Sequence, residues 1–352
     1  MIISKYLTKW YEIHRRALPW RATADPYKIW VSEIILQQTR VEQGIEYYYR
    51  FIKKFPDIYS LGNANIDEVL KQWQGLGYYN RAKNMHHAAN QIINNYNGVM
   101  PDIYSELIKL KGIGPYTAAA VASFAYNEPV AVVDGNVKRV LARVFGVDKP
   151  VNSNAGEKYI QHLANSILNE DYPGIHNQAM IEFGAIQCTP GKPDCQQCPL
   201  SEICEAYNNN LVAKLPVKNA TKKKRDRYFY YLVIHPDNQH TYIKKRTDKD
   251  VWNSLYEFPL IERNTKTDLN QITQTNEWKQ FFNGSAPKII HISEEYKHIL
   301  SHQNIYATFI NVKLPFQTKF LENNFLKIKK KNLDQYAISR LIEKYLERKK
   351  WE

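Results

Sequence analysis

Three groups of residues have the types and spacing that chemistry requires. Cys188, Cys195, Cys198 and Cys204, spaced C-x6-C-x2-C-x5-C, are the chain's four cysteines. Thiolates this close can converge on one centre, and both tetrahedral zinc and a [4Fe–4S] cluster suit them. Glu33 shares a helical face with Trp30, Ile34 and Gln37. A carboxyl among such neighbours is either a paired or boundary group, or a general acid whose proton affinity burial raises toward neutrality. The third group is Leu110-Lys111-Gly112-Ile113-Gly114-Pro115-Tyr116-Thr117, followed by an apolar helix and Val132-Val133-Asp134-Gly135-Asn136. Two glycines two residues apart allow a tight turn that offers bare N–H groups to an anion, and the next helix starts at Pro115 or Tyr116. A plain turn between helices would use the same residues.

Asp134 has two compatible roles. It N-caps a helix whose Val137, Val140, Leu141 and Val144 follow i, i+3, i+4, i+7. The N–H donors at that helix start would also keep its carboxylate ionised. Lys138, Arg139 and Arg143 on the same helix are expected at the surface or on phosphates.

These groups need a scaffold. Residues 1 to about 212 carry apolar positions at helical spacing, with short breaks such as Gly75-Leu76-Gly77 and Asn97-Gly98. From Tyr228 the pattern turns to aromatic and β-branched runs, Tyr228–Ile234 and Ile305–Val312, which predict strands. The expected division is a helical domain over 1–213, a basic linker over 214–227 and a mixed α and β domain over 228–352. The linker run Lys222-Lys223-Lys224-Arg225 suits either a solvated tether or a strap that tracks phosphates. A net charge of +13 over 352 residues implies a polyanionic partner. No run of about 20 apolar residues suggests a membrane span, and no secretory signal is evident, so a cytoplasmic, nucleoid-associated monomer is expected.

Leu18-Pro19-Trp20-Arg21, Val31-Ser32-Glu33-Ile34-Ile35-Leu36-Gln37-Gln38-Thr39, Gly75-Leu76-Gly77-Tyr78-Tyr79-Asn80-Arg81-Ala82, the glycine hairpin at 110–117 with Asp134, and the cysteine loop at 188–204 together resemble the adenine DNA glycosylases of the MutY type. That family belongs to the helix-hairpin-helix base-excision superfamily related to endonuclease III. The resemblance implies an all-α catalytic core with an iron–sulfur loop, holding a [4Fe–4S] cluster on the four cysteines. Val251–Pro259 is similar to the signature of the family's C-terminal MutT-like (Nudix-like) α+β domain. No G-x5-E-x7-R-E-x2-E-E-x-G box follows it, so nucleotide hydrolysis is not expected there.

The same resemblance implies the reaction: excision of adenine mispaired with 8-oxoguanine or guanine in double-stranded DNA. Glu33 would protonate the flipped-out adenine and Asp134 would stabilise the sugar cation, through a covalent bond in the family's proposed route, with Tyr116 assisting. Asn136 and Glu182 match positions near the sugar or the nucleophile. Gly112 and Gly114 would hold the DNA backbone, Gln38 would intercalate, Tyr78 would wedge beside the oxidised base, and Arg21 and Lys192 would also face DNA. Ser301 and His302, in Ile299-Leu300-Ser301-His302-Gln303, match the loop beside 8-oxoguanine, although Leu300 stands where the family often has phenylalanine. Glycosylases that also nick the backbone place a lysine 18 positions before the aspartate, where this chain has Tyr116. A phenol cannot form the imine that such nicking needs.

Overall fold

The computed structural model describes residues 2–220, 224–284, 287–314 and 316–348. Contacts divide the chain into two units, Met1–Ala64 with Asn84–Ala220, and Asn65–Lys83 with Thr221–Glu352.

The first unit is helical. Asp25 caps the helix Pro26–Leu36, accepting from the N–H groups of Tyr27 and Lys28, and Pro26 supplies the preset first-turn φ. This helix buries Tyr27, Ile29, Trp30, Val31, Ser32, Glu33, Ile34 and Ile35, nearly its whole circumference. It packs directly on the hairpin helix Pro115–Tyr126. Ala118, Ala119, Ala120 and Ala122 of that helix are all buried, and such short side chains let neighbouring helices approach closely. Helix Gly135–Val144 buries Val137, Val140, Leu141 and Val144 as the spacing predicts. Their cluster also includes Trp10, Ile160, Met180 and Phe183.

In the second unit, strand β1 is Arg225–His235, β2 His240–Lys245, β3 Tyr256–Glu257, β4 Leu260–Arg263, β5 Lys288–Ile292, β6 Tyr296–Ile299, β7 Gln303–Lys313 and β8 Leu326–Lys329. The larger sheet has the order β4-β1-β7-β5, with β6 also on β7, and the smaller one is β3-β2-β8. The two runs predicted as strands form β1 and β7, which pair in parallel from Arg225↔Gln303 to His235↔Lys313. The period of two assigns their side chains to separate cores. Phe229, Tyr231 and Val233 join Ile305, Phe309, Leu341 and Tyr345 on one face, whereas Tyr230, Leu232 and Ile234 join Ile310, Trp278 and Phe282 on the other.

Two boundaries differ from the sequence expectation. Residues 65–83, expected within the helical domain, group with the second unit. The reason is a set of bonds no local pattern reveals: Asp67 accepts from Lys245 and Tyr256, and Lys83 donates to Asn253 Oδ1 at 2.7 Å. The expected linker also shrinks. Leu215 and Val217 accept hydrogen bonds from Arg143 and Val151, which fastens 214–220 to the first unit, and Arg225 already opens β1. Lys222 and Lys223 of the basic run lie outside the described residues.

Candidate active site and iron–sulfur loop

Glu33 is 7% exposed, and its Oε2 accepts a 2.6 Å hydrogen bond from the Tyr116 hydroxyl. Burial drives its pKa up to about 7; the Tyr116 bond opposes this, nearby Asp134 adds to it and Arg21 counters it. The group is therefore poised between acid and carboxylate near neutral pH. Burial and the two neighbouring carboxyls push the Tyr116 phenol well above its ordinary range, so it stays protonated and donates. Gln37 Nε2 reaches Thr117 Oγ1 at 3.2 Å, a second tie between the acid helix and the hairpin helix.

Asp134 caps its helix as expected: Oδ1 accepts from Val137 N and Oδ2 from Asn136 Nδ2, both at 2.8 Å. Its proton affinity runs against the expectation. Burial raises the pKa, and the bonds from Val137 and Asn136 with the Arg139 charge do not bring it back to the ordinary value. Desolvation of this partly buried carboxyl outweighs its N–H donors.

Asn136 is held from behind. Its Oδ1 accepts from Arg139 Nη2 at 2.8 Å, while Arg139 also donates to Gly184 O at 2.6 Å and Cys188 O at 2.8 Å. Arg139 and Arg143 are buried, which corrects their expected surface placement. Arg143 braces the cysteine loop through Thr189 O at 2.7 Å and Pro190 O at 3.3 Å, and its Nη1 lies 3.4 Å from Cys188 Sγ. Lys138 pairs with Glu157.

Glu182, expected near the sugar or the nucleophile, is paired with two arginines. It is fully buried and accepts from Arg16 N, Nε and Nη2 and from Arg21 Nη2 at 2.8–3.0 Å. Burial alone would raise its pKa, but these bonds prevail and bring it down to about 2. It is a permanent anion that fixes two arginines, Arg16 and Arg21. Arg16 and Asn177 carry no functional signal in the sequence. Asn177 Oδ1 accepts from Val132 N at 3.0 Å, and its Nδ2 donates to Ser123 Oγ and Val130 O, which sets the strand-like approach to Asp134. An asparagine inside a helix gives no signal of that role.

The residues expected to meet DNA differ in their local settings. Gly112 adopts φ +78°, where a Cβ would sit 2.5 Å from Asn84, so glycine is required; Gly114 caps the helix beginning at Pro115. Gln38 and Lys192 are exposed. Gln38 and Tyr78 both hold left-handed backbone, φ 67° and 48°, which side-chain-bearing residues adopt at a cost. Ser301 and His302 are exposed in the β6–β7 turn, with Ser301 Oγ 3.3 Å from His302 Nδ1.

The four cysteines line one pocket with Arg143, Val144, Phe183, Leu200 and Tyr207. Burial raises the Cys198 thiol to about 12 and raises Cys195 and Cys204 as well, so thiolates persist there only against a bound positive centre. Among the described residues no three His, Cys, Asp or Glu side chains are placed to hold a metal ion. Four thiols gathered around one pocket suit a cluster held on four cysteines.

An acid poised in a helical hairpin core, a capped aspartate and a four-cysteine loop define a helix-hairpin-helix base-excision DNA glycosylase. Residues 31–169 match the HhH-GPD superfamily of base excision DNA repair proteins, 188–204 the iron–sulfur binding domain of endonuclease III, and 230–348 a NUDIX domain. The chain is 36% identical to an adenine DNA glycosylase of Buchnera aphidicola subsp. Baizongia pistaciae, covering 92% of this chain and 90% of that one. It is 34% identical to the adenine DNA glycosylase of Buchnera aphidicola subsp. Acyrthosiphon pisum, over 98% and 97%. A solved thermostable thymine-DNA glycosylase superposes with a TM-score of 0.55 at 31% identity, covering 59% of this chain and 96% of that one. The chain belongs to the adenine DNA glycosylase family. It is a hydrolase of the DNA N-glycosylase type, its cysteine loop carries a [4Fe–4S] cluster, and none of its described helices is long and apolar enough to cross a membrane.

Proposed function

We propose that this glycosylase removes adenine paired with 8-oxoguanine, or with guanine, by hydrolysis and without nicking the backbone. The observation that carries the mechanism is Glu33: a carboxyl with a pKa raised to about 7, oriented by the Tyr116 hydroxyl. Oε2 is occupied by Tyr116, which leaves Oε1 to carry the proton. Glu33 gives that proton to N7 of the flipped-out adenine, the bond from the base to the sugar C1′ breaks with its electron pair leaving on the base, and an oxocarbenium-like sugar develops. Asp134, fixed by Val137 and Asn136, faces that cation, and water then adds to C1′ and releases its proton. Tyr116 offers no amine, so no imine with the sugar forms there.

The helical unit acts on the adenine strand and the C-terminal unit reads the opposite base. Gly112, Gly114 and Lys192 contact phosphates, and Gln38 and Tyr78 enter the base stack, consistent with the +13 charge. In the syn form that pairs with adenine, 8-oxoguanine turns its 2-amino group into the major groove, where guanine normally shows none. Ser301 and His302 can each accept from that group. The protein acts as a monomer near the nucleoid, and the cluster keeps residues 188–204 folded.

Single-turnover excision from duplexes with adenine opposite 8-oxoguanine, guanine and thymine tests this. The order expected is 8-oxoguanine above guanine, with thymine inert. Ser301→Ala with His302→Ala should weaken the first reaction and leave the second almost unchanged; equal losses on both would remove the loop from lesion recognition.

A further inference from the structure

Tyr78 is 49% exposed and sits in left-handed backbone at φ 48°, between a Gly75 at φ 96° and a Gly77 at φ 73° on one side and the helix Asn80–Tyr96 on the other. A bulky residue stays in such a conformation only where its surroundings over-determine it. Arg81 and Trp73 shape the turn locally: Arg81 Nη2 donates to Leu76 O at 3.3 Å and Gly77 O at 3.1 Å, and Trp73 Nε1 donates to Gly77 O at 3.1 Å. The Arg81 guanidinium also lies 5.7 Å from the Tyr78 ring centre. Those contacts give the turn its form but do not fix it to anything beyond itself.

Tyr79 does. Its ring is 5% exposed, and its hydroxyl accepts from Gly75 N at 3.3 Å while donating to Ile338 O at 3.1 Å. Ile338 forms a bridge with Tyr256, and Tyr256 N donates to Ala337 O at 2.8 Å, so the acceptor is built into the C-terminal fold. Gln74 and Lys71 reinforce the join: Ile338 N donates to Gln74 Oε1 at 3.4 Å, Gln74 Nε2 donates to Glu343 Oε1 at 2.9 Å, and Lys71 Nζ donates to Tyr336 O at 3.4 Å. The turn bearing Tyr78 is thereby fastened to the same unit that carries the Ser301–His302 loop.

We propose that Tyr79 is a positioning residue: its hydroxyl ties the Gly75–Gly77 turn to Ile338 and so holds the Tyr78 ring for insertion beside the oxidised base. The inference rests on the reading that Tyr78 enters the base stack. With the tie intact, the wedge and the loop meet the opposite base as one preset reader. Without it, the Tyr78 ring must be ordered on each encounter.

Tyr79→Phe removes the hydroxyl and keeps the ring. Two quantities are measured for wild type, Tyr78→Ala, Tyr79→Phe and the double variant: the single-turnover rate on adenine opposite 8-oxoguanine, and the emission of 2-aminopurine placed beside the 8-oxoguanine, which rises when a wedge opens the stack. Tyr79→Phe should slow excision about 5- to 10-fold, the scale of one or two lost hydrogen bonds, and reduce the fluorescence rise. The double variant should be no slower than Tyr78→Ala, because a residue that acts through Tyr78 has nothing left to act through. Wild-type behaviour of Tyr79→Phe, or losses that add in the double variant, would overturn the positioning role alone. Unchanged rate and emission in Tyr78→Ala would instead overturn the base-stacking reading beneath it.

Discussion

Glu33→Gln should make the helical unit more stable at pH 8 while removing its activity. The carboxyl has a pKa of about 7 in the folded protein against an ordinary 4.5, so the folded state binds the proton more tightly than the unfolded chain does. Stability contributed by this proton is fully present below pH 4.5 and is lost as pH rises through about 7. At about 1.4 kcal/mol per pH unit, the gap between the two values corresponds to about 3 kcal/mol of destabilisation from a buried charge at pH 8. The amide is uncharged at every pH and still accepts from the Tyr116 hydroxyl. Denaturant unfolding at pH 5 and pH 8 should therefore show the variant ahead of wild type by about 2–3 kcal/mol at the higher pH, with most of that advantage gone at the lower. Excision by wild type should fall tenfold per pH unit above about 7, as the acid loses its proton, and the variant should be at least about 100-fold slower at pH 7 with DNA affinity retained. A stability difference that does not vary with pH would refute the buried acid, and a variant within about tenfold of the wild-type rate would refute its role as proton donor.

Gly184→Ala places a Cβ 2.6 Å from Asn136 Cβ, so it should displace Asn136 from Asp134, cut single-turnover excision by about tenfold or more, and cost about 1–3 kcal/mol in unfolding experiments. Arg143→Ala removes the donors to Thr189, Pro190 and Leu215 and should lower iron and sulfide content and the broad visible absorption of the purified protein; full cluster occupancy in the variant would show the loop holds itself. Borohydride should trap no covalent complex between wild type and DNA through Tyr116, and strand cleavage should need alkali or heat after base loss; a readily trapped imine would refute hydrolysis without nicking.

Local chemistry was the legible part of this sequence. Gly112 and Pro115 announce a turn and a helix start because their backbone properties suit those positions, and four cysteines within one short loop announce a shared centre. The strands β1 and β7 could be read because both faces of the sheet are covered, which leaves nearly continuous apolar runs. What stayed hidden depends on partners distant in sequence. Glu182 looks like any carboxyl near a reactive helix until Arg16 and Arg21, more than 160 positions away, close on it. Arg139 and Arg143 resemble surface cations on paper, since a sequence carries no sign of the backbone carbonyls that receive them. The elevated proton affinity of Asp134 likewise follows from its partial withdrawal from water, which no capping pattern records.

The membership of residues 65–83 in the C-terminal unit bears on how the chain comes to be made. The buried Tyr79 donates to Ile338 O, Gln74 to Glu343 and Asp67 accepts from Lys245, yet their segment leaves the ribosome long before Thr221 and everything after it. At about 5–20 residues per second the wait is of the order of ten seconds, during which an early helical body can close around a segment whose permanent partners do not yet exist. A nascent chain stalled before residue 221 should present this segment, its Tyr79, Gln74 and Asp67 without their later partners, to chaperones or proteases. Expression of the helical part alone should therefore yield a protein that aggregates more readily than the full chain, even though every residue of its own core is present.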